Sequence, residues 1–167
     1  STALLLLLLS KTIFGVTNLW INPEAEYVKA SVNGENWIIS SKCVEKLKFL
    51  NRNVEVQDTF VGRELVGKNV TVPIANRTVA IFPAMFVEPK DGTGIVMSVP
   101  AHAPYDYQAL EDLKKNKSLL TKFGIADGVL ETLQPIVIIE SEGYDGVPAL
   151  VVINKLNITN QDDPKLE

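Results

Sequence analysis

Two prolines, Pro100 and Pro104, constrain this chain more than any other feature. Pro100 closes the apolar run Ile95 to Val99, because a residue without an N–H cannot donate to a sheet ladder. Pro104 suits the first position of a helix, where that N–H would have had no partner anyway. The segment from Gly92 to Tyr107 therefore reads as glycine turn, strand, stop and helix. The spacing predicts a helix from about Pro104 to Lys117, with Tyr107, Leu110 and Leu113 on one face and Asp106 near the third helical position. A strand ending there frees backbone carbonyls beside one histidine and one carboxylate.

The rest of the chain reads as a series of short strands with helices between them. Ala25 to Val32 and Glu35 to Ile39 flank Asn33-Gly34, the strongest hairpin signal present. Ser40 or Ser41 caps a helix to about Leu50, with Val44, Leu47 and Leu50 inward. Val54 to Val61, Asn69 to Val72 and Thr78 to Phe82 follow as strands. Pro135 to Glu140 and Ala149 to Ile153 are read as two more, separated by a turn at Gly143 to Gly146. Leu4 to Leu9 is too uniform to separate strand from helix. The order implies a mixed α/β fold, built on a curved sheet or small β-barrel core with two to three peripheral helices. No linker divides it, so residues 1–167 are read as a single domain.

Composition excludes several classes. Sixteen Lys and Arg against twenty Asp and Glu give a net charge of -4, so no domain-wide basic field gathers phosphates. One cysteine, Cys43, excludes an internal disulfide, and with one histidine it leaves no zinc set. The leucine run resembles the apolar core of a signal peptide, and Asn69, Asn76, Asn116 and Asn157 each begin an N-x-[ST] sequence. Yet no basic residue precedes that run, no small-residue cleavage site follows it, and it is too short to span a bilayer. Soluble, cytoplasmic and monomeric is the expectation. The start at Ser1 and the polar end suggest a domain excised from a larger protein.

Asp106 has a bland reading and a functional one. A carboxylate in a first helical turn meets the positive end of the helix dipole, an effect of roughly 0.3–1 kcal/mol. Beside a strand end it can also receive a ligand's ammonium group, since crevices of α/β proteins form there. His102 can orient, contact substrate or move a proton, but no serine or cysteine stands in a recognisable partner motif. Gly92-Thr93-Gly94 lacks the Lys-Ser/Thr of a phosphate loop and serves a tight turn or close backbone approach. Thr12 lines a pocket or caps a turn. Trp20, Trp37, Phe49, Phe60, Phe82 and Phe86 are read as core.

The stretch from Thr12 to Pro23, beginning Thr12-Ile13-Phe14-Gly15-Val16-Thr17-Asn18-Leu19-Trp20, together with Val72-Pro73-Ile74 and Gly92 to Tyr107, resembles the inserted editing domain of leucyl-tRNA synthetase. The Ala101 to Asp106 segment is similar to the archaeal version, with the eukaryotic cytosolic enzymes as near relatives. The likeness runs over nearly the whole chain from Thr12 onward.

That resemblance implies a proofreading hydrolase for the ester of mischarged tRNA(Leu) carrying isoleucine, norvaline or methionine. A pocket for leucine cannot reject such side chains strongly, because a methylene is worth only about 1–3 kcal/mol, and a second pocket that excludes leucine resolves this. By resemblance, Asp106 and Thr12 are the catalytic-site pair: Asp106 holds the substrate α-ammonium and Thr12 blocks the leucine side chain. Met97, Ser98, Val99, Pro100, His102, Ala103 and Tyr105 line the amino-acid pocket or contact the terminal adenosine. Positioned water is the expected nucleophile. No cofactor or metal is expected for editing, ATP belonging to the synthetic part of the enzyme. The expected partners are the 3′ end of mischarged tRNA(Leu) and the rest of the synthetase, with no membrane contact.

The chain departs from the family at one place. The family reads Thr-x-Arg-Pro-Glu/Asp-Thr before its Phe-Gly pair, whereas this chain has Leu7-Leu8-Leu9-Ser10-Lys11-Thr12. The alternative reading that follows is a module binding aminoacylated RNA ends or free amino acids without turnover.

Overall fold

A computed structural model describes residues 12–140 and 142–166. The chain begins with a 3-10 turn at Thr12–Gly15, then β1 (Asn18–Ile21), β2 (Glu26–Val32), β3 (Glu35–Ser40), α1 (Ser41–Phe49) and β4 (Val54–Val61). There follow β5 (Asn69–Val72), β6 (Arg77–Pro83), β7 (Ile95–Ser98), α2 (Pro104–Lys115), α3 (Lys117–Lys122), α4 (Asp127–Glu131) and α5 (Pro148–Leu156). The strands form two open sheets, ordered β5-β6-β1-β7 and β3-β2-β4. The mixed α/β class holds; among the described residues the sheets do not close into a barrel, and the α-helices number five rather than two or three. The leucine run lies outside the described residues.

By contact the chain divides into two compact units. The first contains Leu19–Lys68 and Ala80–Met97; the second contains 12–18, Asn69–Val79 and 98–166.

In the first unit, Asn33 and Gly34 adopt φ of 50° and 89° and join β2 to β3 with Val32 paired to Glu35, as the Asn-Gly pair requires. Val28, Ala30 and Val32 share one core with Ile39, Cys43, Val44 and Val54, and α1 packs on the sheet through this face. A one-residue slip of β2 would turn both valines outward at about 1.5–3 kcal/mol each, so burial fixes the register. Gln57 bulges out of β4, where pairing passes from Lys29–Asp58 to Ala30–Val56. Trp20 contacts both Phe82 and Phe86, with ring centroids 6.2 and 5.6 Å apart. Phe49 and Leu50 are exceptions to the expected core, at 87% and 60% exposed. Both lie where α1 ends, Phe49 as its last residue and Leu50 as its cap.

In the second unit, α2 packs against α3, α4 and α5 through a face that includes Leu110 and Leu113. The helix foreseen to Lys117 stops two residues earlier, because Asn116 ends α2 and its side chain accepts the Leu119 N–H at 3.0 Å to start α3. Ala149 to Ile153 is helix rather than strand. Pro148 sits at the first helical position, and Ala149 and Ile153, one turn apart, are the buried pair. Pro135 to Glu140 carries no strand. Asn76 and Asn157, like Asn116, have backbone duties, both occupying the left-handed region with φ of 47° and 52°.

Candidate functional site

The join foreseen between Pro100 and Pro104 forms in the second unit. β7 ends at Ser98, whose carbonyl accepts the Thr17 N–H at 3.0 Å. The Val99 carbonyl then accepts two N–H groups, His102 at 3.1 Å and Ala103 at 3.0 Å, which closes the turn. This corrects one expectation, for the Val99 carbonyl is engaged in the turn and not free at the strand end. Ala103 is the helix cap, Pro104 the first helical residue and Asp106 the third.

Asp106 is 9% exposed, and its Oδ2 accepts the Val99 N–H at 2.8 Å. One carboxylate thus ties the helix start to the strand end, where dipole and charge act in the same sense. Tyr105, half-buried beside it, has a phenol pushed above its usual pKa by burial, with the charges of Asp162 and Asp106 adding to the shift.

His102 Nε2 accepts the Ile138 N–H at 3.0 Å. An accepting Nε2 places the proton of a neutral imidazole on Nδ1. The ring is therefore employed in holding residues 135–140, the segment that sequence reading made a strand. The Ala149 N–H, unpaired within α5, donates to the Ala101 carbonyl at 3.0 Å. His102, Pro104, Tyr144, Pro148, Ala149 and Val152 surround an open cavity of about 220 Å³.

Thr12 opens the 3-10 turn, half-buried. Gly15 ends that turn so close to the strand end that a Cβ on it would stand 2.8 Å from Val99 Cγ1, with Ile138 Cδ1 and the Ile136 carbonyl also in contact range. A glycine is needed for that approach. Arg77 fixes the turn from another side, its Nη2 donating to the Phe14 carbonyl and, at 3.3 Å, to the Ile13 carbonyl. Burial lowers the guanidinium below its usual pKa. Sequence reading missed Arg77 altogether, since it lies between two expected strands with no motif around it.

The structure thus gathers Ser98, Val99, His102, Ala103 and Asp106 at one join, with the turn that bears Thr12 set against Val99. Ser98 is fully buried with its Oγ unpaired, while Met97 precedes it on β7 and is half-buried. Among the described residues no group of three or more His, Cys, Asp or Glu side chains is placed to hold a metal. No described helix is long and apolar enough to cross a membrane.

Residues 9–153 match the family described as leucyl-tRNA synthetase, editing domain. The chain belongs to that family. The editing domain is 47% identical to the leucine–tRNA ligase of Pyrococcus horikoshii over 94% of its own length, and 44% identical to that of Archaeoglobus fulgidus over 93%. It spans 17% and 16% of those enzymes. Among solved structures, GlLeuRS-CP1 matches with a TM-score of 0.82 at 28% identity, covering 93% of this chain and 61% of that one. The editing domain of the cytosolic leucyl-tRNA synthetase of P. falciparum has the same fold, with a TM-score of 0.81 at 20% identity over 93% and 60% of the two chains.

Proposed function

We propose that this editing domain hydrolyses the ester linking a wrong amino acid, isoleucine, norvaline or methionine, to the 3′ end of tRNA(Leu). The observation that carries the reading is Asp106, a nearly buried carboxylate held at a helix start by the Val99 N–H. Membership of the editing-domain family supports the same chemistry. In this reading the carboxylate receives the substrate α-ammonium, which fixes the ester carbonyl relative to the strand end. Water adds to the carbonyl carbon and the bond to the ribose oxygen breaks, which leaves a free amino acid and a tRNA with its terminal hydroxyl restored. No side chain need form a covalent bond, so the rate gain rests on orientation and on donors aimed at the developing oxyanion.

Thr12 supplies the discrimination. Its turn is braced by Gly15 against Val99 and by the Arg77 bonds to the Ile13 and Phe14 carbonyls, so a side chain as wide as leucine meets a braced wall. His102 keeps residues 135–140 in place and presents its ring beside Tyr144 and Pro104 for the terminal adenosine. Leu7 to Lys11, on which the binding-only alternative rests, lies outside the described residues. The remainder of a synthetase, with its tRNA, is the proposed setting.

The test is deacylation of isoleucyl-tRNA(Leu) and leucyl-tRNA(Leu) by the 167-residue chain. Accelerated loss of isoleucine with leucine retained is expected. No acceleration of either, alongside tight binding of a non-hydrolysable aminoacyl-adenosine, would establish the binding-only reading.

A further inference from the structure

We propose that the first unit carries a second ligand site, a cavity between α1 and β3 that takes a small apolar carboxylate. The cavity measures about 390 Å³, within the ordinary range of small-molecule sites. None of the residues assigned to editing lines it. Ile39, Trp37, Leu47 and Leu50 provide apolar walls, and Lys46 and Arg52 provide charge.

Lys46 lies within α1, and the placement of Arg52 follows from how that helix ends. Asn51, with φ of 57°, takes the left-handed position, its N–H donating to the Lys48 carbonyl and that of Arg52 to the Leu47 carbonyl, both at 3.0 Å. This paired closure usually sets an apolar residue over the last turn. Here the residue is Arg52, one of two basic side chains among the cavity's lining residues, and that lining includes no acid. The acid nearest in sequence to Trp37, Glu35, accepts the indole Nε1–H at 3.0 Å from an exposed position.

An apolar interior with basic groups and no carboxylate selects an amphipathic anion. An ammonium compound would meet two like charges, and an alcohol would forgo the charge-assisted bond that Lys46 or Arg52 offers a carboxylate. A nucleotide needs more polar partners than these walls provide. The chemistry favours a medium-chain or aryl carboxylate, with its apolar body against Trp37 and Ile39.

Decanoate, below its micellar concentration, is the probe. The 167-residue chain is titrated while the Trp37 indole N–H resonance is followed, with decan-1-ol and decylamine as controls. Saturable one-to-one binding that shifts the Trp37 resonance is expected, with both controls weaker by about tenfold or more. The double variant Lys46→Glu, Arg52→Glu, exposed at both positions, should weaken decanoate by a similar factor and leave Tm unchanged. Decanoate and decan-1-ol binding equally, no saturable shift at Trp37, shifts spread over the whole chain, or an apolar acidic peptide binding where decanoate does not, would each overturn the proposal.

Discussion

Asp106 Oδ2 accepts the Val99 N–H at 2.8 Å, so the carboxylate that begins α2 also holds the end of β7. A structural duty and the proposed recognition duty fall on one side chain, and substitution can separate them. In Asp106→Asn the amide oxygen can still accept the Val99 N–H while the charge is lost. Asp106→Ala leaves that N–H without its acceptor, at about 1–3 kcal/mol. Urea denaturation should therefore show the alanine variant clearly destabilised and the asparagine variant much less so. Calorimetry should find aminoacyl-adenosine binding lost in both. Full affinity in Asp106→Asn would make the carboxylate purely structural.

Thr12→Ala should admit leucine. Removing a side chain of this size from the wall of a pocket changes discrimination by about 1–3 kcal/mol. Hydrolysis of leucyl-tRNA(Leu) is thus expected to rise by about tenfold or more, with isoleucyl-tRNA(Leu) hydrolysis little altered. Continued protection of leucyl-tRNA(Leu) in an otherwise active variant would remove Thr12 from the blocking role.

Arg77 holds the turn that bears Thr12. Arg77→Met removes the guanidinium from the Phe14 carbonyl and leaves the Ile13 carbonyl only the Val16 N–H at 3.5 Å, so a loss of about 1 kcal/mol is expected in denaturation. Arg77→Lys should recover part of it through a single ammonium contact. If the bracing serves discrimination, the methionine variant will hydrolyse leucyl-tRNA(Leu) faster while isoleucyl-tRNA(Leu) turnover changes little. Equal loss on both substrates would mark Arg77 as a folding residue alone.

Alkaline stability should depend on Tyr27. Its hydroxyl donates to the Gly94 carbonyl at 2.6 Å and accepts the Asn22 N–H, and burial pushes its pKa up to about 12. The folded value exceeds the unfolded one of about 10, so this contribution is full below pH ~10 and is lost as pH rises through the folded value. Tyr27→Phe, which keeps the ring against Phe60 but takes the hydroxyl from the buried Gly94 carbonyl, should be less stable at neutral pH by about 1–3 kcal/mol and show a shallower fall between pH ~10 and ~12. An identical alkaline limb in the variant would contradict the assignment.

Much of this was legible in the residues. Asn33-Gly34 announced its hairpin because few other pairs tolerate two successive left-handed residues. Pro100 and Pro104 announced the strand-to-helix join because each acts through its own missing N–H. Ala149 to Ile153 misled because a uniformly apolar run has no period to read; the helix signal there is Pro148, at the first helical position. Pro135 to Glu140 looked like a strand by composition, yet the Ile138 N–H goes to His102, a partner 36 residues away that no local pattern announces. Arg77 was invisible for the same reason, since its value lies in two carbonyls more than sixty residues earlier in the chain. Gly94, expected to serve a tight turn or a close backbone approach, has φ of 74°, and a Cβ there would stand 2.6 Å from Ser40 Cβ.

The central claim is that Asp106 recognises an ammonium group. It is tested most directly by titrating the wild-type chain with a non-hydrolysable isoleucyl-adenosine analogue and with its desamino counterpart, identical but for the missing α-amine. A hydrogen bond to a charged group contributes about 1.5–3 kcal/mol, so the desamino compound should bind at least about tenfold more weakly. Equal affinity for the two compounds would contradict the account.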